Sequence, residues 1–271
     1  ATSSTVSDLM PQFPLPLDTP VPSSSFLDLL EAVGAAPRWE IPADAARNLS
    51  VPEGTTVLAL RYQGGVIIAG DRQATEGHMV AHRCIQKVFP SDRYSAVAVA
   101  GTAGLATEMV RLFQVELEHY EKLENRRLSL EGKATFLARL VRGQLPMAIQ
   151  GLVVVPLFAG YDELDKVGRL YTYDVVGGRY EEQEFGSTGS GARLAKSYLR
   201  TAYQPDIDAS GGVDLAVRAL VSAAQEDTAT GGPDLRRGIL PTVFRIDSEG
   251  IAELTDEEIR PYAESALEDV R

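Results

Sequence analysis

The feature that most constrains this chain is a change of texture at Thr55. Residues 1–54 hold eight of the fifteen prolines in the 271-residue sequence. Proline fixes φ and removes a backbone donor, so such a segment resists both helix and sheet. Residues 2–25 are also rich in Ser and Thr and show no stable period, which reads as extended or disordered chain. One stretch departs from this. Ser25 can cap a helix over 25–34, with Phe26, Leu29, Leu30 and Val33 on one face and Gly34 as a stop. About nine residues are marginal alone, so this is either a docked helix or a transient amphipathic turn.

From Thr55 the pattern is that of a packed domain. Residues 55–62 are read as alternating and so as a strand, and with 66–69 across the turn Gln63-Gly64-Gly65 they predict a hairpin. Short and longer strands follow at 79–83 and 94–100. Thr102 is expected to cap a long helix to about 124, with Leu105, Met109, Leu112, Phe113 and Leu117 at helical spacing. Ser129 caps a second, which Pro146 should end or kink. Strands at 152–159 and 169–173, a turn at Val176-Gly177-Gly178 and a return strand from 179 come next. Helices over 191–203 and 213–227, a hairpin over 242–254 and a helix capped by Thr255 complete the chain. Hairpins dominate over crossovers, so the sheets should be antiparallel, with helices segregated onto their faces in a layered α+β domain.

Composition narrows the function. A hydrophobic content of 44% supports a real core. Net charge is −12, from 26 basic and 38 acidic residues, which argues against nucleic-acid partners and anionic membrane surfaces. No run reaches the ~18–20 apolar residues of a membrane span; the best, 152–160, is short and carries a proline. No basic-then-apolar leader is visible, and the expected location is cytoplasmic. The single cysteine, Cys84, excludes an internal disulfide framework and a cysteine zinc cluster, and reads as a small buried hydrophobe.

The usual catalytic pairs are missing. His119 sits in a charged helical stretch and reads as a solvated face residue. His78 and His82 are four apart, but strand and loop surroundings disfavour a metal site, and no metal or cofactor is expected. The GSTGSG run at 186–191 fits neither a phosphate loop nor a GxSxG nucleophile elbow. A threonine at a free chain end needs no histidine, because its own α-amine is the base. That amine has a pKa of roughly 7.7–8.0, close to the ideal for a general base. Such an enzyme is made with a segment ahead of the threonine and then cut. Gly54-Thr55-Thr56, at the end of a loose segment and the start of a strand, fits that need. Glycine at 54 would permit the tight fold-back that lets the Thr55 hydroxyl reach the Gly54 carbonyl. By itself the tripeptide is equally a plain turn into a strand.

Three further stretches decide between these: GDRQATEG at 70–77, QKV at 86–88 and AGTAG at 100–104. With Thr55-Thr56 ahead of them, the ordered series resembles the catalytic β subunits of proteasomes. ELEHYEKL at 116–123 and DTATGGPDL at 227–235 are similar to the actinobacterial members. The resemblance covers about 55–260. It implies a propeptide over 1–54, a catalytic domain over 55–271 and the four-layer αββα sandwich of N-terminal nucleophile hydrolases. It implies a threonine endopeptidase, exposed by autocatalytic cleavage of Gly54–Thr55, with Thr55 as nucleophile. Lys87 matches the lysine that favours the deprotonated hydroxyl and amine, Asp71 its partner, and Gly101 the oxyanion-hole glycine. Ser190, Asp227 and Thr230 match the group supporting the amine and a nearby water; the family often has serine at the last position. Read alone, Asp71 would be a turn or cap residue, Lys87 a surface lysine and Gly101 a hinge.

By the same resemblance, peptide substrate lies as an added strand between the Thr75 backbone and 101–103. Ala74, Ile85, Val99 and Ala103 would line the first specificity pocket and select apolar or aromatic residues before the cut. The same four also read as ordinary core. Implied partners are α-type subunits, further β subunits in seven-membered rings, an ATPase ring and pupylated protein substrates. The alternatives are an HslV-like peptidase, against which the long prosegment and Arg72 count, and a small-molecule amidohydrolase with an N-terminal nucleophile. A non-catalytic ring subunit would lack Thr55 or Lys87.

Overall fold

A computed structural model of the chain describes residues 54–76 and 79–270. The helix expected at 25–34 and His78 lie outside the described residues. In chain order the strands are β1 (Thr56–Tyr62), β2 (Gly65–Gly70), β3 (Ala74–Glu76), β4 (Met79–His82), β5 (Val88–Asp92) and β6 (Ser95–Gly101), then β7 (Val154–Asp162), β8 (Val167–Tyr173), β9 (Arg179–Glu182), β10 (Phe185–Gly189), β11 (Thr242–Asp247) and β12 (Gly250–Glu253). The helices are α1 (Ala103–Glu124), α2 (Leu130–Gly143), the single turn α3 (Leu145–Ala148), α4 (Ala192–Ala202), α5 (Ala209–Glu226) and α6 (Asp256–Glu268).

The strands form two five-stranded sheets, ordered β10-β1-β2-β11-β12 and β5-β6-β7-β8-β9, and a separate β3-β4 ribbon. All pairings are antiparallel. The strand period of two explains how one sheet serves two cores. Val57, Ala59, Val66 and Ile68 face Ala98, Leu157 and Leu170 across the space between the sheets. Their neighbours Leu58, Leu60, Ile67 and Ala69 face the opposite way, onto α4, α5 and α6. On the second sheet, Val97, Val99, Phe158 and Tyr171 pack against α1 and α2. The result is the four-layer αββα sandwich that the resemblance implies, and it agrees with the layered antiparallel α+β domain read from the sequence pattern. Because β1 is covered on both faces, it reads as nearly continuous apolar chain rather than clean alternation. Each fully buried aliphatic side chain contributes roughly 1.5–3 kcal/mol. Phe113 of α1 ties the outer helices to the sheet: it meets Phe158 edge-on at 5.7 Å and stacks on Phe136 of α2 at 6.2 Å.

The helix signals have mixed outcomes. The Ser129 hydroxyl accepts from Gly132 N, and Thr255 forms a full capping box with Glu258. Thr102 occupies the N-cap position of α1, but its hydroxyl makes no cap bond and is buried without a partner among the described residues. Pro146 lies in the first turn of α3, just after α2 ends, where its missing N–H is harmless.

Three strands escape the sequence pattern. β3 has only three residues. β5 carries Pro90 and is an edge strand, the place a sheet tolerates proline. β10 falls in the glycine-rich run at 186–191, where there are few side chains to show a period. Cys84 corrects the reading of its neighbourhood: it is exposed, because it lies in the irregular connection between β4 and β5. His119 is half-buried on α1 rather than fully solvated.

Candidate active site

The site forms where the first residues of β1, the ends of β2 and β6 and the loop after α5 meet. Thr55 immediately precedes β1 and is buried. Its carbonyl accepts from Ser190 N at 2.8 Å and lies 3.1 Å from Ser190 Oγ. Gly189, just before, has φ +103, and a Cβ there would sit 2.1 Å from the Thr55 oxygen. The glycine-rich run therefore serves backbone approach to β1, not anion binding. The Thr55 hydroxyl donates to the Gly54 carbonyl at 2.6 Å.

Lys87 lies just ahead of β5 and is 3% exposed. An ammonium has three donors and no acceptor, and each donor finds oxygen: Asp71 Oδ1 at 2.6 Å, Gly54 O at 3.0 Å and the carbonyl of Gln73. Burial pulls the lysine below its ordinary pKa, while the charge and hydrogen bond of Asp71, and the charge of Asp227, oppose that pull. Asp71 follows β2 and is almost fully buried. Its Oδ1 also accepts from Thr56 N at 2.8 Å. Its Oδ2 accepts from Gln73 N at 3.0 Å and Gly231 N at 2.8 Å. Four donors around one carboxylate fix its orientation and satisfy both its oxygens, the condition for keeping a buried ion pair.

Gly101 ends β6 with φ +108, and a Cβ would lie 2.0 Å from the Val153 carbonyl, so no other residue fits without moving the backbone. On β6, Val99 N bonds toward Lys87 O and Thr102 N toward Val153 O on the other side. Alternation along the strand therefore directs the Gly101 N–H to the side of Lys87. The first turn of α1 adds its positive end nearby.

Ser190, Asp227 and Thr230 come together. Asp227 Oδ2 accepts from Ser190 Oγ at 2.6 Å and from Thr230 Oγ1 at 2.5 Å. The methyl of Thr230, the departure from serine, does not prevent that bond. Ala74, Ile85, Val99 and Ala103 line one pocket together with Gly54, Thr55, Lys87 and Gly101. Phe89, Ala106 and Thr107 extend its wall. Thr75 stands beside Gly54 instead, outside that lining. A Cβ on Gly54 would fall 2.3 Å from Thr75 Oγ1 and 2.8 Å from Ala229 O, so crowding adds to the fold-back reason for glycine there.

Sequence reasoning passed over Thr56, Gln73, Gly191 and Gly231. Thr56 is fully buried on the helix-facing side of β1, and a buried hydroxyl on an apolar strand face demands a partner. That demand was the available signal. Gln73 acts through its backbone on Asp71 and Lys87 and through its amide on Thr228 O at 2.9 Å, which no motif reports. Chemically, the arrangement holds a carbonyl between a hydroxyl and an ammonium, beside an apolar pocket and a backbone N–H. Among the described residues no group of His, Cys, Asp and Glu could hold a metal, and no helix is long and apolar enough to cross a membrane.

Residues 51–234 match the family described as proteasome subunit. A proteasome subunit beta of Acidimicrobium ferrooxidans is 56% identical over 220 residues, covering 81% of each chain. That of Stackebrandtia nassauensis is 49% identical over 256 residues and covers 91% of each. That of Streptomyces griseus is 50% identical over 248 residues, 91% of this chain and 88% of the relative.

Proposed function

The chain belongs to the proteasome subunit family, and from that premise we propose that it is the precursor of a catalytic β subunit, a threonine endopeptidase that matures by cutting its own Gly54–Thr55 bond. Residues 1–54 are the propeptide and 55–271 the catalytic domain. The observation that carries this reading is the Gly54 carbonyl, which accepts at once from the Thr55 hydroxyl and from Lys87.

In maturation the Thr55 hydroxyl oxygen adds to the Gly54 carbonyl carbon, its proton passes to the Thr55 nitrogen, and the Gly54–Thr55 C–N bond breaks to leave an ester and a free α-amine. Water hydrolyses the ester, releasing the Gly54 carboxylate and freeing the Thr55 hydroxyl. The amine then takes the hydroxyl proton as Thr55 attacks a substrate carbonyl, returns it to the leaving amine, and water hydrolyses the resulting ester to release the acyl half and restore Thr55. Lys87, held by Asp71, supplies positive charge beside the developing alkoxide. The Gly101 N–H receives the oxyanion; losing one such donor costs about 10²–10³ in rate. Ser190, Asp227 and Thr230 hold the Thr55 backbone and amine.

The apolar lining at Ala74, Ile85, Val99 and Ala103 supports cleavage after apolar or aromatic residues of extended, unfolded proteins. It supports this over a small-molecule amidohydrolase. Relatives named proteasome subunit beta along nearly the whole length support a proteasome over an HslV-like particle. The assembly is then a seven-membered β ring against α subunits in the cytoplasm, fed pupylated substrates by a ring ATPase. Intact mass and N-terminal sequencing after co-assembly with an α subunit test the reading. The mature chain begins at Thr55, and Thr55→Ala keeps the propeptide and cleaves no peptide. A mature chain starting elsewhere, or peptide cleavage by Thr55→Ala at the wild-type rate, overturns it.

A further inference from the structure

Thr56 stands next to the proposed nucleophile with its side chain on the opposite face of β1. It is fully buried. Its Oγ1 accepts from Gly191 N at 2.9 Å and lies 2.5 Å from Thr230 Oγ1. Thr230 donates its single hydroxyl proton to Asp227 at 2.5 Å, so Thr56 must be the donor to Thr230. The chain of donors has one direction, from Gly191 N–H through Thr56 and Thr230 into Asp227. Such a chain strengthens each bond by polarising the next.

The surroundings are shaped around that hydroxyl pair. A Cβ on Gly191 would lie 2.5 Å from Thr56 Oγ1 and 2.6 Å from Thr230 Oγ1, so only glycine leaves them room. The neighbouring Ser190 donates its hydroxyl to the same Asp227 oxygen and its backbone N–H to Thr55 O. Meanwhile Thr56 N holds Asp71 Oδ1, the oxygen that pairs with Lys87. One residue is therefore tied to both carboxylates of the site, to Asp71 directly by its backbone and to Asp227 through Thr230 by its side chain.

We propose that Thr56 is a positioning residue for peptide hydrolysis: its hydroxyl, through Thr230 and Gly191, fixes Asp227 and Ser190 and so the mount of Thr55. This rests on Thr55 being the nucleophile. Removing the hydroxyl leaves the Gly191 N–H without its acceptor and Thr230 without its donor. The loop at 190–191 and the Asp227 carboxylate then lose their fixed orientation, while the pocket that binds substrate is untouched. The expected signature is a fall in kcat with KM preserved.

The test uses the full chain, co-assembled with an α subunit, and a fluorogenic peptide with an apolar residue before the scissile bond. Thr56→Val keeps the shape and loses the hydroxyl. It is expected to lower kcat about tenfold, the loss of roughly one buried hydrogen bond, with KM within about twofold and a mature mass that begins at Thr55. Thr56→Ser restores kcat to within about twofold. Thr230→Val breaks the same chain, so the double variant falls no further than about twofold below the lower single. A wild-type kcat in Thr56→Val, no rescue by serine, or a double variant that multiplies the two losses overturns the proposal. If Thr56→Val does not assemble, Thr230→Val decides in the same way, with a wild-type kcat refuting the chain. Failure of the nucleophile reading is separate, since it appears as peptide cleavage by Thr55→Ala.

Discussion

Replacing Asp71 by asparagine tests the electrostatics of the site most directly. The carboxylate is 1% exposed and each of its oxygens accepts two bonds: Thr56 N and Lys87 Nζ on one, Gln73 N and Gly231 N on the other. Asparagine keeps one oxygen and turns the other into a donor. Whichever way the amide is turned, two N–H donors face an NH₂ group, and the Lys87 charge loses its counter-ion. Breaking a buried pair from one side costs about 3–5 kcal/mol. For a domain of this size that lowers Tm by about 10 °C.

The pH dependence gives the argument its sign. Burial already lowers the pKa of Lys87, and Asp71 is the largest opposing influence. Removing that influence lowers the pKa further. A lysine whose folded pKa lies below its unfolded value holds fewer protons folded than unfolded across the interval between the two, so stability rises with pH there. The variant has the wider interval, reaching to lower pH. Its deficit against wild type is therefore full below that extra interval and shrinks as pH rises through it. Thermal unfolding of the wild-type chain and Asp71→Asn at pH 7, 8 and 9 measures this. A Tm difference below about 2 °C at pH 7, or a difference that widens with pH, refutes the account of Asp71 as the partner that keeps Lys87 charged.

Gly101→Ala places a Cβ 2.0 Å from the Val153 carbonyl at a φ of +108. It is expected to lower kcat at least a hundredfold by displacing the N–H toward the reacting carbonyl, and steady-state rates within tenfold of wild type refute that placement. Ala103→Phe fills the pocket that Ala103 shares with Ile85 and Val99. KM for peptides with phenylalanine before the cut should rise about tenfold or more, while peptides with alanine there change little, because lost apolar burial scales with side-chain size. Equal effects on the two peptides count against this pocket as the specificity site.

Much of the fold is legible in the sequence because period and punctuation agree along most of it. The β1–β2 hairpin, the apolar stripe of α1 and the Thr255 capping box are each local patterns with local causes. What escapes has non-local causes. β10 shows no period because glycine there answers to the Thr55 carbonyl across the sheet. Cys84 is exposed because its segment is an irregular connection, which composition does not report. Lys87 looks like any lysine, and only the fold brings Asp71 and the Gln73 carbonyl around its ammonium.

The Thr55-Thr56 pair shows how far one local rule reaches once the register is known. Side chains of successive strand residues point to opposite faces. Thr55 meets the pocket and Lys87, and Thr56 meets Thr230 and Gly191. A slip of one residue would exchange their faces and bring the Thr56 hydroxyl to the pocket side. That slip is opposed on both edges of β1, by its pairing with β10 from Thr56 to Leu60 and with β2 from Val57 to Tyr62. It is opposed again by the alternation of Val57 and Ala59 into one core with Leu58 and Leu60 into the other. The same apolar residues that stabilise the sandwich thus decide which of two adjacent threonines faces Gly54. On the proposed reading, which threonine acts is a consequence of core packing as much as of the residues that touch it.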